Sequence, residues 1–573
     1  MSVRTAVENT FQAPDGSELF YRAWLPLDSP PSKTVLLFHR GHEHSGRFQD
    51  LVDRLQMPDV AFFAWDCRGC GKSPGSRGDA LHLGQLESDM EAFYRHVLAE
   101  YNVEEKRTVV LAHSVAAVVA GLWVLDYGPR LAGLILGTPA LKVKLYVPLA
   151  REGLTVLSSV GVMTDVQSYV RGSALTHDKE QAQAYDADPL ISKNIATRVL
   201  LDLYKGAARL LEQAEDIVVP TQVLVARADW VIKNGPIRTL HQRLSGPKEI
   251  KVYKDFFHAI FHEKDRHLVD SDIRRFMQEC WSRETALPVA LGDPSRARYE
   301  WLKAGPPRIS AANVFWKVSR LSMSTAGRLS QGMRIGYKSG FSSGQMLDYV
   351  YQNRPRGWTP FGKLIDYFYL NSIGWVCIRQ RRKHLQSLLR EALESSRAKK
   401  VADIAGGPAR YMLDVLQEYA DPELRAVIRD RDENGLEEGR QLAVQQGESR
   451  ITYQSGDAFD GSDVAGLGPL DVAVVSGLYE LFPDNQPVAQ SLAGLAQAVR
   501  PGGYLLYTNQ PYHPTLELIA ETLRHAGGKR WVMRCRSTAE MDALVREAGF
   551  EKCRSLIDRH GIFSVSMARR LPE

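Results

Sequence analysis

The chain contains a serine, an acid and a histidine, in that order, whose side chains together can turn the serine hydroxyl into a nucleophile. Ser114, Asp229 and His258 each follow a short apolar run of the kind that forms a buried strand. A serine hydroxyl is a poor nucleophile unless an imidazole accepts its proton, and the imidazole needs a carboxylate to fix its tautomer and stabilise its charge. We therefore predict a nucleophile at Ser114, a general base at His258 and its carboxylate partner at Asp229.

A second group of residues, far along the chain, has the pattern of a nucleotide-binding turn. The apolar run that begins at Val401 ends at Asp403, and a turn of small residues, 405–409, leads into a helical pattern. Such a turn brings a ligand close to the backbone at the start of a helix, although glycine-rich turns of this kind also bind dinucleotides. Two later acids, Asp430 and Asp457, follow further apolar runs, where one carboxylate can bind ribose hydroxyls and the other an adenine amino group. The predicted cofactor-binding residues are Asp403, Ala405, Gly407, Asp430, Asp457, Ala458 and Ser476.

The segments that must position Ser114, Asp229 and His258 are predicted to be alternating strands and helices. Six runs are predicted to be strands: Thr34–Phe38, Val60–Trp65, Thr108–Leu111, Leu134–Leu136, Thr221–Ala226 and Ile250–Tyr253. This alternation favours a mostly parallel sheet covered by helices on both faces. Residues 141–205 interrupt this alternation, because their sequence has the pattern of amphipathic helices and no clear strand. We therefore predict that they form a lid over the site. The apolar stretch Val109–Leu125 reads as a strand that turns tightly into a buried helix.

Three motifs give residues 10–280 a resemblance to a known group of enzymes. They are 39–47 (HRGHEHSGR), 66–73 (DCRGCGKS) and the serine turn around Ser114. Together with the order serine, acid, histidine, they resemble the α/β-hydrolases that include monoacylglycerol lipases and serine-aminopeptidase-like hydrolases. The resemblance implies an oxyanion hole built from the backbone N–H groups of Gly41 and Val115.

The chain departs from that pattern at four positions. Ala112 and Ala116 replace the glycines that usually flank the nucleophile, and each adds a methyl group to a crowded turn. Arg40 and His42 replace small residues of the oxyanion loop. An alternative interpretation is therefore a hydrolase fold that has lost catalysis and now only binds. The histidines at 39, 42, 44 and 113 are expected to pack or form loop hydrogen bonds, and we predict no metal site.

The second half resembles the class I S-adenosylmethionine-dependent methyltransferases from residue 401 to about 570. Five runs are predicted to be its strands: Val401–Ile404, Arg425–Ile428, Ile451–Gln454, Asp471–Val475 and Tyr504–Thr508. The turn 500–503 (RPGG) before the fifth strand favours this family over a dinucleotide-binding domain, although Ala405 and Ala409 replace two of its usual glycines. The resemblance implies S-adenosyl-L-methionine as cofactor. It also implies that acceptors bind near Tyr479, Glu480, Asn509 and Tyr512, where the two tyrosines could equally well only pack.

Length and charge set the domain organisation. A chain of 573 residues is too long for one core. We predict a hydrolase domain at 1–285, a linker at 286–310, a basic helical extension at 311–397 and a methyltransferase domain at 398–573, of Rossmann-like α/β fold. Residues 301–400 hold 18 Lys and Arg against 4 Asp and Glu, in a chain whose net charge is only +5.

The basic extension suggests a charged partner. Its aromatics, among them Trp316, Trp358 and Trp375, lie beside lysines and arginines. This composition suits an anionic membrane surface or RNA, whereas the plainer interpretation is a solvated helical face whose aromatics pack on the neighbouring sheet. Without a recognised nucleic-acid module, we expect contact with anionic lipid, through the cluster Arg379, Arg381, Arg382 and Lys383, and no nucleic-acid partner.

Location and cysteine content are less informative. The N-terminus lacks the apolar stretch of a signal peptide, so we predict a cytoplasmic protein. Six scattered cysteines do not form a disulfide framework, and the Cys67 and Cys70 pair lies inside a loop motif without further zinc ligands nearby.

The two halves together resemble a bacterial family of fused hydrolase and methyltransferase proteins. We therefore predict a bifunctional enzyme that combines an esterase- or lipase-like serine hydrolase with a methyltransferase acting on lipid-derived or other small-molecule substrates. Two alternatives remain open: an active methyltransferase whose hydrolase half only binds, and a membrane-surface adaptor that is inactive in both halves.

Overall fold

The computed structural model of the chain describes residues 4–27, 30–144, 165–168, 170–283, 293–525 and 528–572. These residues divide into two units, Met1–Pro288 and Val289–Glu573. The division falls next to the predicted start of the linker at residue 286.

The first unit is built on a twisted sheet that is eight-stranded within the described residues. Its spatial order is β1-β2-β4-β3-β5-β6-β9-β10, in which β1 and β2 run antiparallel to their neighbours and the strands from β4 to β10 are parallel. The strands of this unit are β1 (Val7–Gln12), β2 (Glu18–Trp24), β3 (Lys33–Phe38), β4 (Val60–Trp65), β5 (Thr108–His113), β6 (Gly133–Gly137), β7 (Asp165–Gln167), β8 (Asn194–Ala196), β9 (Thr221–Ala226) and β10 (Lys248–Tyr253). All six strands predicted for this half are present, and β1 and β2 were not predicted.

Helices cover both faces of this sheet. Because side chains alternate along a strand, Val35 and Leu37 of β3 face one helical layer, made by α1 and α7, and Leu36 faces the other, made by α2, α3 and α5. The helices of the first unit are α1 (Gln49–Leu55), α2 (Leu83–Glu100), α3 (Val115–Tyr127), α4 (Lys179–Ala187), α5 (Thr197–Glu212), α6 (Gly235–Arg243) and α7 (His267–Ser282). Helix α3 is buried along nearly its whole length, as the apolar stretch Val109–Leu125 predicted.

The predicted lid lies partly outside the described residues, at 145–164 and 169. Its described part contains helix α4 and the antiparallel pair β7 and β8. The expectation that this segment lacks strands was therefore wrong, because three-residue strands are too short to give a periodic pattern.

The second unit contains a sheet that is seven-stranded within the described residues. Its order is β13-β12-β11-β14-β15-β17-β16, with only β17 antiparallel to its neighbours. The strands are β11 (Lys400–Asp403), β12 (Arg425–Asp430), β13 (Ile451–Ser455), β14 (Leu470–Val475), β15 (Val499–Asn509), β16 (Phe550–Ile557) and β17 (Ser564–Arg570). The five predicted strands all form, and the closing pair β16 and β17 was not predicted.

Twelve helices of the second unit lie in its described residues. They are α8 (Asp293–Ala304), α9 (Ala311–Thr325), α10 (Gln331–Ser339), α11 (Gly344–Gln352), α12 (Pro360–Leu370), α13 (Ile373–Ser396), α14 (Arg410–Leu416), α15 (Glu433–Gln445), α16 (Gly461–Ala465), α17 (Asn485–Ala498), α18 (Leu516–Thr522) and α19 (Thr538–Glu547). One apolar cluster covers each face of the sheet, which gives a doubly wound α/β fold.

Two predicted boundaries need correction. Much of the predicted linker 286–310 is helix α8, which packs through Leu302 on α18 of the second unit; residues 284–292 lie outside the described part. The extension predicted at 311–397 ends earlier, because Leu388 and Leu389 of α13 lie fully buried in the core of the methyltransferase sheet. In the sequence, the basic residues on the opposite side of α13 made this apolar stripe hard to recognise.

The cluster Arg379–Lys383, predicted to face a membrane, is largely committed to internal contacts. Arg379 donates to the carbonyl oxygen of Leu370 at 2.8 Å, and Arg381 is buried. Arg382 pairs with Asp414 at 2.6 Å. Only Lys383 is exposed. The expectation that these four cations form a membrane-binding cluster was therefore wrong.

Candidate active sites of the two halves

Ser114 occupies the turn between β5 and α3. Its backbone has φ of +58°, a conformation that costs energy for any residue with a side chain, and its N–H donates to the carbonyl oxygen of Gly137 at 2.8 Å. Ala112 and Ala116, which replace the usual glycines, have no positive φ. The turn therefore needs an unusual backbone conformation at the serine alone, and the two alanines are accommodated without backbone strain.

The three predicted triad residues are brought together at one edge of the sheet. The Nε2 atom of His258 lies 2.8 Å from Oγ of Ser114, and its Nδ1 atom lies 2.7 Å from Oδ2 of Asp229. All three side chains are buried. The geometry is that of a hydroxyl whose proton an imidazole can accept while a carboxylate orients the ring.

The surroundings of Asp229 keep this carboxylate charged. Its other oxygen, Oδ1, accepts the N–H groups of Val231 at 2.7 Å and Ile232 at 2.9 Å. Burial favours the neutral acid, but the charge and hydrogen bond of His258, together with these N–H groups, hold the pKa of Asp229 below its usual value.

Two residues fix the position of His258: His113, which was predicted only to pack or to form a loop hydrogen bond, and Thr138, which was not predicted. The carbonyl oxygen of His258 accepts a hydrogen bond from Nε2 of His113 at 3.0 Å and one from the hydroxyl of Thr138 at 3.3 Å. The imidazole rings of His113 and His258 are stacked, with centroids 5.5 Å apart. Because these contacts join distant parts of the chain, only the position of His113 beside the nucleophile could have pointed to it.

The predicted oxyanion donors, Gly41 and Val115, lie side by side. A β-carbon added to Gly41 would meet Cγ2 of Val115 at 3.5 Å. Within the described part of the chain, neither backbone N–H donates to another protein group. Val115 is also the first residue of α3, where helix N–H groups have no partner inside the helix. The pair can therefore bind a developing negative charge on a substrate oxygen.

The two loop motifs hold this arrangement in place. His39 accepts the N–H of Cys67 at 3.0 Å, and the buried Asp66 accepts the N–H groups of Ser45 at 2.6 Å and Lys72 at 2.7 Å. The motif 66–73 thus connects to the oxyanion loop through hydrogen bonds in which the side chains of His39 and Asp66 accept backbone N–H groups. His39 acts as a loop acceptor, as predicted.

Arg40, the unusual residue before Gly41, is buried and occupied. Its guanidinium donates to Glu43 at 3.0 Å and lies 4.7 Å from the ring centroid of Tyr185 on helix α4. Burial works against a charged Glu43, yet the Arg40 charge holds the pKa of this carboxyl well below its usual range. Arg40 therefore joins the oxyanion loop to helix α4 of the predicted lid segment, a contact that the sequence pattern does not indicate.

In the second unit, Asp403 ends β11 and anchors the small-residue turn. Its carboxylate accepts the N–H of Ala405 at 3.0 Å and the hydroxyl of Tyr411, a residue not predicted to belong to the site. Burial raises the pKa of Asp403 to about 7, against the effect of these two donors. Gly407 has φ of +52°, which glycine adopts readily, and Ala409 takes φ of +50° in place of a family glycine.

Asp430 stands at the end of β12, opposite this turn. One of its oxygens accepts the N–H of Gly407 at 2.8 Å and the other accepts the N–H of Asp432 at 2.9 Å. Each carboxylate oxygen can accept a further hydrogen bond, so both remain available to a diol. Asp432 instead caps helix α15 by accepting the N–H of Asn434.

The other predicted cofactor residues lie at the same edge of the sheet. Asp457 follows β13 and is partly exposed, with one oxygen accepting the N–H of Phe459 at 3.0 Å. Ala458 is buried beside it, and Ser476 follows β14. Since the strands β11 to β14 are parallel, their carboxyl ends bring all these residues to one crevice.

The residues at this crevice fit a nucleoside cofactor. A β-carbon on Gly407 would meet nothing closer than Oδ2 of Asp430 at 3.9 Å, so the turn borders open space that a side chain would fill. Asp430 offers two acceptors to a ribose and Asp457 an acceptor to an adenine amino group. These are the contacts that S-adenosylmethionine requires.

Three of the four residues expected near the methyl acceptor are buried and bonded to other protein groups. Tyr479 is buried and donates to Ser491 at 2.9 Å, so it packs in the core. Glu480 is buried and pairs with Arg381 of α13 at 2.9 Å; burial raises the pKa of Glu480, and the charge of Arg381 opposes that rise. Asn509 is also buried and donates to the carbonyl oxygen of Arg536 at 3.1 Å. The Arg381 contact was not predicted.

The folds and sites define an α/β-hydrolase domain followed by a class I methyltransferase domain, and comparisons with known proteins agree. Residues 273–570 match the family described as "Putative methyltransferase", and residues 29–265 match the family described as "Serine aminopeptidase, S33". The chain belongs to the first of these families, and its first half is a hydrolase domain similar to monoglyceride lipases.

The relatives cover the chain in two ways. "Uncharacterized protein YnbC" of Escherichia coli is 44% identical over 98% of each chain, so both halves occur together in that protein. The monoacylglycerol lipase of Mycolicibacterium smegmatis is 26% identical over 47% of this chain and 96% of its own length. A solved soluble variant of monoglyceride lipase from Saccharomyces cerevisiae, 19% identical, covers 49% of this chain and 96% of its own, with a TM-score of 0.44.

None of the helices in the described residues combines the length and the apolar character needed to cross a bilayer.

Proposed function

We propose that the chain is a bifunctional enzyme: a serine hydrolase that cleaves carboxylic esters, joined to a methyltransferase that uses S-adenosylmethionine. The observation that carries the first activity is the continuous hydrogen-bonded row from Ser114 through His258 to Asp229, beside two N–H groups that have no protein partner among the described residues. The similarity to monoglyceride lipases supports an ester of a fatty acid as substrate.

The proposed hydrolysis follows from this geometry. Ser114 Oγ attacks the acyl carbonyl carbon while its proton moves to Nε2 of His258, and the carbonyl oxygen takes its negative charge between Gly41 and Val115. His258 then returns the proton to the leaving alcohol, which leaves an ester on Ser114. Water, deprotonated by His258, releases the acid and restores the hydroxyl.

Hydrolysis of a monoacylglycerol and of a short p-nitrophenyl ester tests this role. We expect Ser114→Ala to lower kcat by about 10⁴-fold or more, because the variant keeps the oxyanion donors but lacks the nucleophile. The melting temperature of each protein serves as the control for folding. If wild type and Ser114→Ala hydrolyse both esters at the same slow rate, the first half binds without catalysing.

The methyltransferase activity rests on the crevice formed by the carboxyl ends of β11 to β14. When bound, S-adenosylmethionine supplies an activated methyl group on its sulfonium. The protein's own residues orient it: Asp430 holds the ribose hydroxyls, Asp457 accepts from the adenine, and the turn at Gly407 lets the ligand approach the backbone. The similarity to lipases in the same chain supports a lipid-derived methyl acceptor.

Calorimetry with S-adenosylmethionine tests the cofactor site. Replacing a charged acceptor of two hydroxyls should cost roughly 1.5–3 kcal/mol, so we expect Asp430→Ala to weaken binding about ten- to hundredfold. Asp432→Ala is the matched control, since this residue caps α15 and should leave the affinity almost unchanged. Binding that is lost only in the Asp432→Ala variant would show that Asp432, and not Asp430, binds the ribose.

The cytoplasmic location remains a prediction from the sequence.

A further inference from the structure

Two helices at the start of the second unit expose apolar side chains on their outer faces. On α9, Val314, Phe315, Val318 and Leu321 are each about 60% exposed and lie on one side, at helical spacing. On α12, Phe361, Leu364, Tyr367 and Phe368 are 50–66% exposed on one side. With Trp358, which is 76% exposed, these residues form what we call the outer apolar surface.

The inner face of α9 is already used. Trp316 is buried, and its Nε1 donates to Glu517 of α18 at 3.3 Å. One turn later, Arg320 donates to the carbonyl oxygen of Glu521 at 3.2 Å. Helix α9 therefore has an inner face that attaches it to α18 and a separate, outward apolar face that this attachment does not use.

The inner face of α12 is held by a buried carboxylate. Asp366 is fully buried and accepts hydrogen bonds from the N–H of Gly332 at 2.9 Å, the N–H of Arg356 at 2.8 Å and the hydroxyls of Ser330 and Tyr349. Four donors from three segments fix the rotation of α12. Its aromatic residues on the opposite side are consequently held outward.

The two exposed faces belong to one continuous region. Both helices pack on the short helical turn Ala326–Leu329, and the carbonyl oxygen of Leu329 accepts the N–H of Trp358 at 3.4 Å. The guanidinium of Arg334 lies 3.9 Å from the centre of the Trp358 ring, so a cation borders the exposed aromatic.

The segment that carries this region is mostly positive, although Arg320 pairs with Glu521 of α18 at 3.6 Å. Residues 301–370 contain ten Lys and Arg and only two acids. Of the acids, Asp366 is buried and Asp348 pairs with Arg410 at 2.7 Å. Lys317 and Lys363 are exposed on the same helices as the apolar residues. The region therefore combines exposed aromatics with positive charge that no acid of the segment neutralises.

We propose that the outer apolar surface docks on a membrane that contains anionic lipid. Aromatic and aliphatic side chains of an amphipathic helix enter the boundary between headgroups and acyl chains, while lysines and arginines contact the anionic headgroups. A second copy of the chain could also cover apolar residues, but a surface so rich in cations would repel itself. The proposal goes beyond the two enzymatic activities and holds whether or not either is present.

Co-sedimentation of the full chain with vesicles tests the proposal. The vesicles contain either phosphatidylcholine alone or phosphatidylcholine with phosphatidylglycerol, at low and high salt. The test variant is Phe315→Ser, Leu321→Ser and Phe368→Ser combined. The matched control is Leu27→Ser, Leu81→Ser and Val444→Ser combined, which removes exposed apolar residues elsewhere. A charge variant combines Lys317→Gln with Lys363→Gln.

We expect wild type to bind the anionic vesicles, with at least tenfold weaker binding for the test variant and little change for the control. The charge variant should bind more weakly and with a smaller dependence on salt. Equal binding by wild type and test variant would overturn the proposal, as would absence of binding by wild type. A self-association of wild type that the test variant abolishes, without vesicle binding, would assign the surface to a second copy.

Discussion

At the residue scale, both sites depend on side chains whose protonation or backbone conformation is unusual. Ser114 holds a positive φ, and Asp403 is a fully buried carboxyl whose pKa is raised to about 7. Both residues could be found from the sequence because each follows an apolar run at the end of a strand.

The raised pKa of Asp403 predicts a pH-dependent stability. The unfolded chain releases this proton near pH 4, whereas the folded protein keeps it until about pH 7. Between these values the folded state binds more protons, so the free energy of unfolding falls as the pH rises, by up to about 1.4 kcal/mol per pH unit. The contribution is complete below about pH 4 and is lost as the pH passes through the folded pKa.

Asp403→Asn should remove this dependence, because the amide does not titrate. Thermal or urea unfolding of the full chain, measured from about pH 4 to 8, compares the two proteins. The stability of wild type relative to the variant should be greatest at the acid end. Parallel pH profiles would show that Asp403 titrates normally in the folded protein.

Some contacts between distant segments escaped prediction. His113 and Thr138 hold the backbone of His258, and Tyr411 donates to Asp403, but a single sequence contains no pattern that pairs them. Arg40 departs from the usual pattern of its loop, and its contact with Tyr185 was not predicted either. The triad was predicted because the chain order of its members follows a known motif, whereas partners outside such motifs were not.

At the element scale, helix α13 joins the basic segment to the methyltransferase sheet. Its leucines at 385, 388, 389 and 393 pack into the core, and Arg381 reaches Glu480 beyond the end of β14. From the sequence, Arg379, Arg381, Arg382 and Lys383 were predicted to form an exposed cluster that contacts anionic lipid. In the structure, the position of each cation around α13 decides whether it is buried or exposed. The charge count alone does not reveal that position.

The different positions of Arg381 and Arg382 around α13 predict that replacing each of them lowers the free energy of unfolding by a very different amount. Arg381→Ala leaves Glu480 buried without its partner and should destabilise the protein by about 3–5 kcal/mol. Arg382→Ala breaks a pair with the exposed Asp414 and should cost at most about 1 kcal/mol. Urea unfolding monitored by tryptophan fluorescence measures both. Similar small losses for the two variants would contradict the burial of Arg381.

A double variant separates charge burial from lost packing. Replacing both partners, Arg381→Met with Glu480→Leu, removes the unpaired charge and should recover much of the stability lost in Arg381→Ala. No recovery would mean that the arginine stabilises the fold through its contact with Phe563, where its guanidinium lies 4.8 Å from the ring centroid.

At the scale of the whole molecule, two complete α/β folds share one chain. Their parallel strands were predicted because each is a short apolar run between helical patterns. The strands β1, β2, β16 and β17, at one end of each sheet, were missed because β1 and β16 are partly exposed and all four carry charged residues. The same two halves occur together over 98% of the Escherichia coli relative, so that protein carries the same fusion.

The central claim is that Ser114 is a working nucleophile, and covalent labelling tests it most directly. A fluorophosphonate reacts only with a serine that a neighbouring base activates, so intact-mass analysis of the treated full chain should show one adduct. Ser114→Ala should show none, and His258→Ala should react much more slowly. A wild-type chain that stays unlabelled, with its fold intact, would contradict the account and leave the first half as a binding domain.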